Sequence, residues 1–345
     1  MRISGRARTA ALLSCLALVL AATPATAALA PVAAAPVQVP GVRGAQAEAV
    51  APAVAVVALP AATTWHPIPS YAYAAHDEPI TYHNGCHARI PVVVPRACTF
   101  GNPKGTRTVL LFGDSHAAHW HAAVLASAAR HGWRVLTLTK SSCPAAMVNV
   151  RTYKGAGPYP QCRTWRTAAL AALRSHKWGR IDVIITADWH FHQVLSSVTG
   201  HLLTGAVRTA TWEAGMRHTM QSLVRAAPQV VLLRDSPDLP GDATSARACY
   251  ARYGLSAGRR CGTTISRALS SAIWGAERRA AATLPHRVTA YDLTTPTCPH
   301  AWCGPIAPPY LMFKDDNHWN QTFMRAHFTR LLDAILVPTM AQATA

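Results

Sequence analysis

Acidic residues are scarce in this chain, with 15 Asp and Glu against 33 Lys and Arg and a formal net charge of +18. No C-x-x-C pair and no H-E-x-x-H occur among its 345 residues, which leaves a zinc site as a minor alternative for its cysteines. No helix-turn-helix, zinc-finger or RNA-binding signature accompanies the positive charge, so nucleic acid is not expected as a partner. Internal repeats are absent as well. Beyond the first two dozen residues no uninterrupted apolar run is long enough to cross a bilayer.

The amino-terminal end has its own character. Arg2, Arg6 and Arg8 precede an apolar core at Ala10–Ala22 and a small-residue site at Ala25-Thr26-Ala27. Residues 1–27 therefore read as a secretory signal. The core is short for a retained membrane anchor, so cleavage is the favoured reading. Without the three leader arginines the net charge is +15. An exported basic chain can associate with anionic wall polymers, lipid headgroups or acidic sugars. A GC-rich genome would produce the same arginine excess. Residues 28–64, rich in Ala, Val and Pro with prolines at 31, 36, 40, 52 and 60, read as a disordered tether. Residues 65–106 read as an irregular lead packed on the domain, with short strands within Ile90–Val94.

Nine cysteines fall to eight if Cys15 leaves with the signal, and an even count in an exported chain suggests disulfides. Neighbours in sequence pair sensibly as Cys86–Cys98, Cys143–Cys162, Cys249–Cys261 and Cys298–Cys303. Eight cysteines allow about 105 pairings, and the count alone does not choose among them.

Residues 107–345 alternate apolar strands with helical patterns. The strands are Thr108–Phe112, Arg134–Thr139, Ile181–Ala187, Val230–Leu233 and Val288–Tyr291. The helices span about His116–His131, Thr164–Arg174, Thr209–Ala226, Thr263–Thr283 and Gln321–Leu336. This order predicts an α/β fold: a three-layer α/β/α sandwich around a central parallel five-stranded sheet, flavodoxin-like in type. Ligands in such sheets bind beyond the carboxyl ends of the strands. Ser115, Ser141, Ser142, Asp188, Trp189, Asp235, Ser236 and the loop before His318 all fall at that edge.

The densest chemical signal is Gly113-Asp114-Ser115-His116, a tight turn between the first strand and a helix. A serine there meets unpaired helix N–H groups able to stabilise developing negative charge. Near the other end lies Asp315-Asp316-Asn317-His318. Histidine can serve as general base to a serine hydroxyl, and a carboxylate can orient its ring. Asp315, three residues before His318, suits that part, with Asp316 as rival. The plain alternatives are a helix-capping serine and an N-cap for the last helix, and both are compatible with catalysis. His119 and His121 do not share one helical face with His116 and read as packing or exposed histidines.

The phrases LLFGDSHAAHW, LTKSSCP, LLRDSPDLP, DLTTPTCP and KDDNHWN, in this order over roughly Arg107 to Leu336, resemble the SGNH (GDSL-like) hydrolase superfamily. They are most similar to the SGNH domains fused behind membrane acyltransferases that O-acetylate cell-envelope polysaccharides. The resemblance implies Ser115 as nucleophile, His318 as base and Asp315 as its acid, with Asp114 structuring the turn. It implies an acyl-enzyme, with no metal or organic cofactor. Superfamily members usually add a Gly and an Asn from the next two strand ends to the oxyanion hole. This chain has Ser141-Ser142-Cys143 and Asp188-Trp189-His190 there, so the backbone N–H groups of Ser115 and Ser142 are the expected donors. His116, Asp188 and Trp189 are expected at the substrate. The implied partners are an acylated or acyl-accepting envelope polysaccharide and a separate membrane acyltransferase, and the implied location is extracytoplasmic, at the cell wall. Water as acceptor would make an esterase and a sugar hydroxyl an O-acyltransferase. A wall-binding module without catalysis is the third reading.

Overall fold

A computed structural model describes residues 69–343, apart from 71, 156, 241–244 and 295. The expected signal at 1–27 and tether at 28–64 lie outside the described residues.

Seven strands form the main sheet: β1 (His87–Ala88), β2 (Cys98–Gly101), β3 (Thr108–Gly113), β4 (Arg134–Lys140), β5 (Val183–Ala187), β6 (Gln229–Leu233) and β7 (Val288–Tyr291). The five long strands match the sequence pattern closely. They run parallel in the order β4-β3-β5-β6-β7. The chain therefore winds one way from β3 to β4 and the other way from β5 onward, so a crevice opens between the carboxyl ends of β3 and β5.

The sequence predicts five strands, and the lead supplies the two extra ones. Both lie along the outer edge of β4, β1 parallel and β2 antiparallel, and the Cys86–Cys98 disulfide joins them. The strands expected within Ile90–Val94 are not formed. Pro91 and Pro95 interrupt that stretch, and a proline has no N–H for a ladder. It runs instead as an exposed loop.

Every residue of β3 is buried, as suits a strand covered on both faces. Its alternation sorts the core into two layers. Leu110 and Phe112 pack with Leu136, Trp165, Trp212 and Ile273 on one side. Val109 and Leu111 pack with Trp120, Val124, Phe328 and Leu332 on the other. The helices α1 (Ser115–Ala118), α2 (His121–His131), α3 (Pro160–Arg174), α4 (Gly205–Leu223), α5 (Ser271–Ala282) and α6 (Gln321–Gln342) complete the layers. Residues of α3, α4 and α5 line the first core, and residues of α2 and α6 the second.

Three helices differ from their sequence patterns. The expected His116–His131 helix is broken at His119–Trp120 into α1 and α2. The Thr263–Thr283 helix breaks at Leu269, which is extended, and Ser270 caps α5 by accepting from the Ile273 N–H. The last helix continues through Pro338 to Gln342, with Thr339 and Met340 buried in its final turns.

All four neighbouring cysteine pairs are joined: Cys86–Cys98, Cys143–Cys162, Cys249–Cys261 and Cys298–Cys303.

Candidate active site

Ser115 begins α1 at the carboxyl end of β3, and the turn before it is tightly constrained. Gly113 has φ +147°, and a Cβ there would lie 2.6 Å from the Ala187 carbonyl at the end of β5. Only glycine fits both the angle and the space. Asp114 is fully buried and bridges the crevice. Its Oδ1 accepts from the His116 N–H at 2.7 Å. Its Oδ2 accepts from the Trp189 N–H at 3.0 Å and from His192 Nε2 at 2.7 Å. Burial would raise its carboxyl, but the His192 hydrogen bond and the His192 and His116 charges hold it well below the usual range. The ends of β3 and β5 are thereby clamped together beneath Ser115.

His318 reaches Ser115 from the loop before α6. Its Nε2 lies 2.8 Å from Ser115 Oγ, across 203 residues of sequence. Its Nδ1 lies 2.9 Å from Asp315 Oδ2 and 3.1 Å from Oδ1. The backbone N–H groups of Asn317 and His318 also donate to Asp315 Oδ1, at 3.1 and 2.7 Å. One carboxylate thus fixes both the loop and the ring. Lys314 Nζ stands 3.2 Å from Asp315 Oδ2 and 3.2 Å from Glu78 Oε2. Burial would raise the Asp315 carboxyl, yet His318 and Lys314 hold it far below the ordinary carboxylate range. Asp316 makes no side-chain contact with His318. Its carbonyl accepts from the Leu239 N–H, and burial beside Asp315 raises its carboxyl.

His116 is buried beside this chain of groups. Its Nδ1 sits 2.5 Å from Asp235 Oδ1 and 3.0 Å from Ser236 Oγ, and its ring centroid is 4.7 Å from that of His318. Burial acts against its charge, but Asp235 outweighs it and raises the pKa to about 9, so the ring is an imidazolium at neutral pH. His119 is buried against Trp319, with no partner for either ring nitrogen among the described residues, and burial keeps it neutral. His121 packs edge-on to Phe100.

Asp114, Ser115, His116, Asp315 and His318 line a cleft of about 450 Å³ that also takes in Ser141, Ser142, Tyr153 and Trp189. Ser142 is in the left-handed region at φ +53°. The Ser141 and Cys143 N–H groups bond Ala88 and Lys140 carbonyls, whereas no described protein group accepts from the N–H of Ser142 or Ser115. Both groups belong to residues that line the cleft. The Cys143–Cys162 disulfide fixes the residue next to Ser142. Trp189 forms a wall, its Nε1 donating to Asp238 Oδ2 at 3.3 Å.

Asp188 does not belong with the expected substrate contacts. It is 1% exposed, and its two oxygens accept from the Ala145 and Ala146 N–H groups at 2.6 and 3.0 Å. Burial, with Asp114 and Glu277 nearby, pushes its carboxyl well up. Its part is to pin the loop after β4, since adjacent residues on an extended segment face opposite ways and Trp189 takes the cleft side.

Sequence reasoning missed the wall contributed by the lead. Tyr82, His87, Arg89 and Ile90 all line the cleft. His87 Nδ1 lies 2.9 Å from Thr139 Oγ1, and the Tyr82 ring sits 4.6 Å from the His87 ring. The one available signal was Cys86, whose disulfide ties this segment to the sheet edge.

The model of the family described as SGNH domain (fused to AT3 domains) matches residues 83–331. No curated protein sequence matches the chain. Among solved structures, the periplasmic domain of the Salmonella ser. Paratyphi A lipopolysaccharide acetyltransferase is similar at 12% identity, covering 68% of this chain and 85% of that one, with a TM-score of 0.47. A Corynascus thermopiles (Myceliophthora fergusii) carbohydrate esterase family 2 enzyme plus carbohydrate binding domain is similar at 13% identity, covering 69% of this chain and 68% of that one, with a TM-score of 0.42.

Proposed function

The chain belongs to the SGNH domain family found fused to AT3 domains, and on that premise we propose that it is a serine-nucleophile acyl-ester enzyme. Its reaction is O-acetyl transfer to or from a cell-envelope polysaccharide. The observation that carries this reading is the continuous run Asp315–His318–Ser115 at 2.9 and 2.8 Å, opening on a cleft.

In this mechanism Ser115 Oγ attacks the acyl carbonyl while His318 Nε2 takes its proton. Asp315 holds the ring with Nε2 facing the serine and stabilises the imidazolium that forms. The carbonyl oxygen becomes an oxyanion that the N–H groups of Ser115 and Ser142 receive. His318 then protonates the departing alkoxide, leaving an acyl-enzyme. A hydroxyl bound in the cleft gives its proton to His318 and attacks the acyl group, restoring Ser115. A sugar hydroxyl in that position yields the acetylated polysaccharide, and a separate membrane acyltransferase would supply the acyl group. Four disulfides support an oxidising, extracytoplasmic location.

The test is incubation with an acetyl ester donor, with and without envelope oligosaccharides. Acetylated oligosaccharide that forms with wild type and not with Ser115→Ala is the expected result. Free acetate as sole product would make the chain an esterase. No turnover, with oligosaccharide binding retained, would leave a wall-binding module.

A further inference from the structure

Ile90, Pro91, Val92, Val93 and Val94 are five consecutive apolar residues, and all are exposed. Val94 is 69% exposed, and Ile90, Val92 and Val93 between 38% and 39%. A run of this kind is unusual on a protein surface and marks a contact surface when the fold maintains it. Here the fold does maintain it. Lys140 is buried at the end of β4, and its Nζ donates to the carbonyls of Arg89, Ile90 and Val92 at 2.6, 2.9 and 2.7 Å. The Tyr159 hydroxyl lies 3.0 Å from the Ser141 carbonyl and 3.3 Å from the Ile90 carbonyl, and the Tyr159 ring lies under the same ammonium, 5.2 Å away. With its backbone pinned, the loop cannot turn its side chains inward.

The flanks indicate what the loop meets. Arg89 and Arg96 are exposed on either side, and no acidic residue occurs between Glu78 and Asp114. The loop itself offers only aliphatic side chains and proline, without the Trp or Tyr anchors that dominate protein interfaces. A short aliphatic tip between arginines matches the layered chemistry of an anionic bilayer, acyl chains below phosphate headgroups. Arg89 and Ile90 also line the cleft, so the tip lies at the cleft rim.

We propose that the Ile90–Val94 loop is a membrane-contact element that inserts its aliphatic side chains into an anionic lipid surface, with Arg89 and Arg96 at the headgroups, and so holds the cleft rim against the bilayer. This does not depend on the reaction proposed above. Val93, Val94 and Arg96 lie outside the cleft lining.

The test is co-sedimentation of the full chain with vesicles of phosphatidylcholine alone and of phosphatidylcholine mixed with phosphatidylglycerol. Wild type is expected to bind the anionic vesicles about tenfold or more tightly than the neutral ones. A V93D/V94D double variant should lose about tenfold of that binding and R96Q about threefold. Both variants should hydrolyse a soluble p-nitrophenyl ester at the wild-type rate, which excludes misfolding. Equal vesicle binding by V93D/V94D and wild type would overturn the proposal. Absence of vesicle binding by wild type would also overturn it and assign the loop to a protein partner.

Discussion

His318 stands between Ser115 and Asp315, with Nε2 2.8 Å from the hydroxyl and Nδ1 2.9 Å from the carboxylate. The neighbouring Asp316 has no such contact. Asp315→Asn should therefore lower kcat by about 10³- to 10⁴-fold, because an amide no longer fixes the productive tautomer. Asp316→Asn should stay within about threefold of wild type. Steady-state hydrolysis of p-nitrophenyl acetate checks both.

The buried Asp235–His116 pair gives stability a defined pH dependence. Its folded pKa of about 9 lies above the ordinary value for histidine, about 6.5. The stabilisation is complete below about pH 6.5 and is lost as pH rises through about 9. The Tm advantage of wild type over His116→Gln should accordingly shrink across that interval. A constant difference from pH 6 to 9.5 would contradict the ion pair.

Lys140 secures the lead with three charge-assisted hydrogen bonds. Lys140→Met keeps the length of the stem and removes all three. A loss of about 1–3 kcal/mol follows, or about 3–10 °C in Tm by calorimetry. Activity should fall as well, since Arg89 and Ile90 form part of the cleft wall.

The Cys143–Cys162 bridge closes a loop of 19 residues next to Ser142. A Cys143→Ser/Cys162→Ser variant should lose about 2–4 kcal/mol. Its kcat should drop while KM changes little, because a loosened Ser142 N–H weakens the hold on the transition state more than on the bound ester. A variant with lower Tm but unchanged kcat would remove Ser142 from the oxyanion site.

The sheet was largely legible in the sequence because β3, β5 and β6 are short apolar runs and β4 has a clear apolar core. Strands covered on both faces leave that mark whatever surrounds them. The edge strands β1 and β2 were not legible. Each is too short to carry a period, and each exists through its register on β4 and a disulfide. Ser115 and His318 could be read because each side chain sits in a compact local motif. Asp188 misled because its neighbour Trp189 faces the cleft, and a sequence does not say which of two adjacent residues turns inward. Tyr82, His87 and Arg89 reach the cleft only through the path of the lead over β4. No local pattern encodes that path.

The most direct test of the central claim is rapid-quench mass spectrometry of wild type and Ser115→Ala during reaction with p-nitrophenyl acetate. The account predicts a transient gain of one acetyl group on the peptide containing Ser115 in wild type and no gain in Ser115→Ala. Equal ester hydrolysis by Ser115→Ala and wild type, with no acetyl on that peptide, would contradict it.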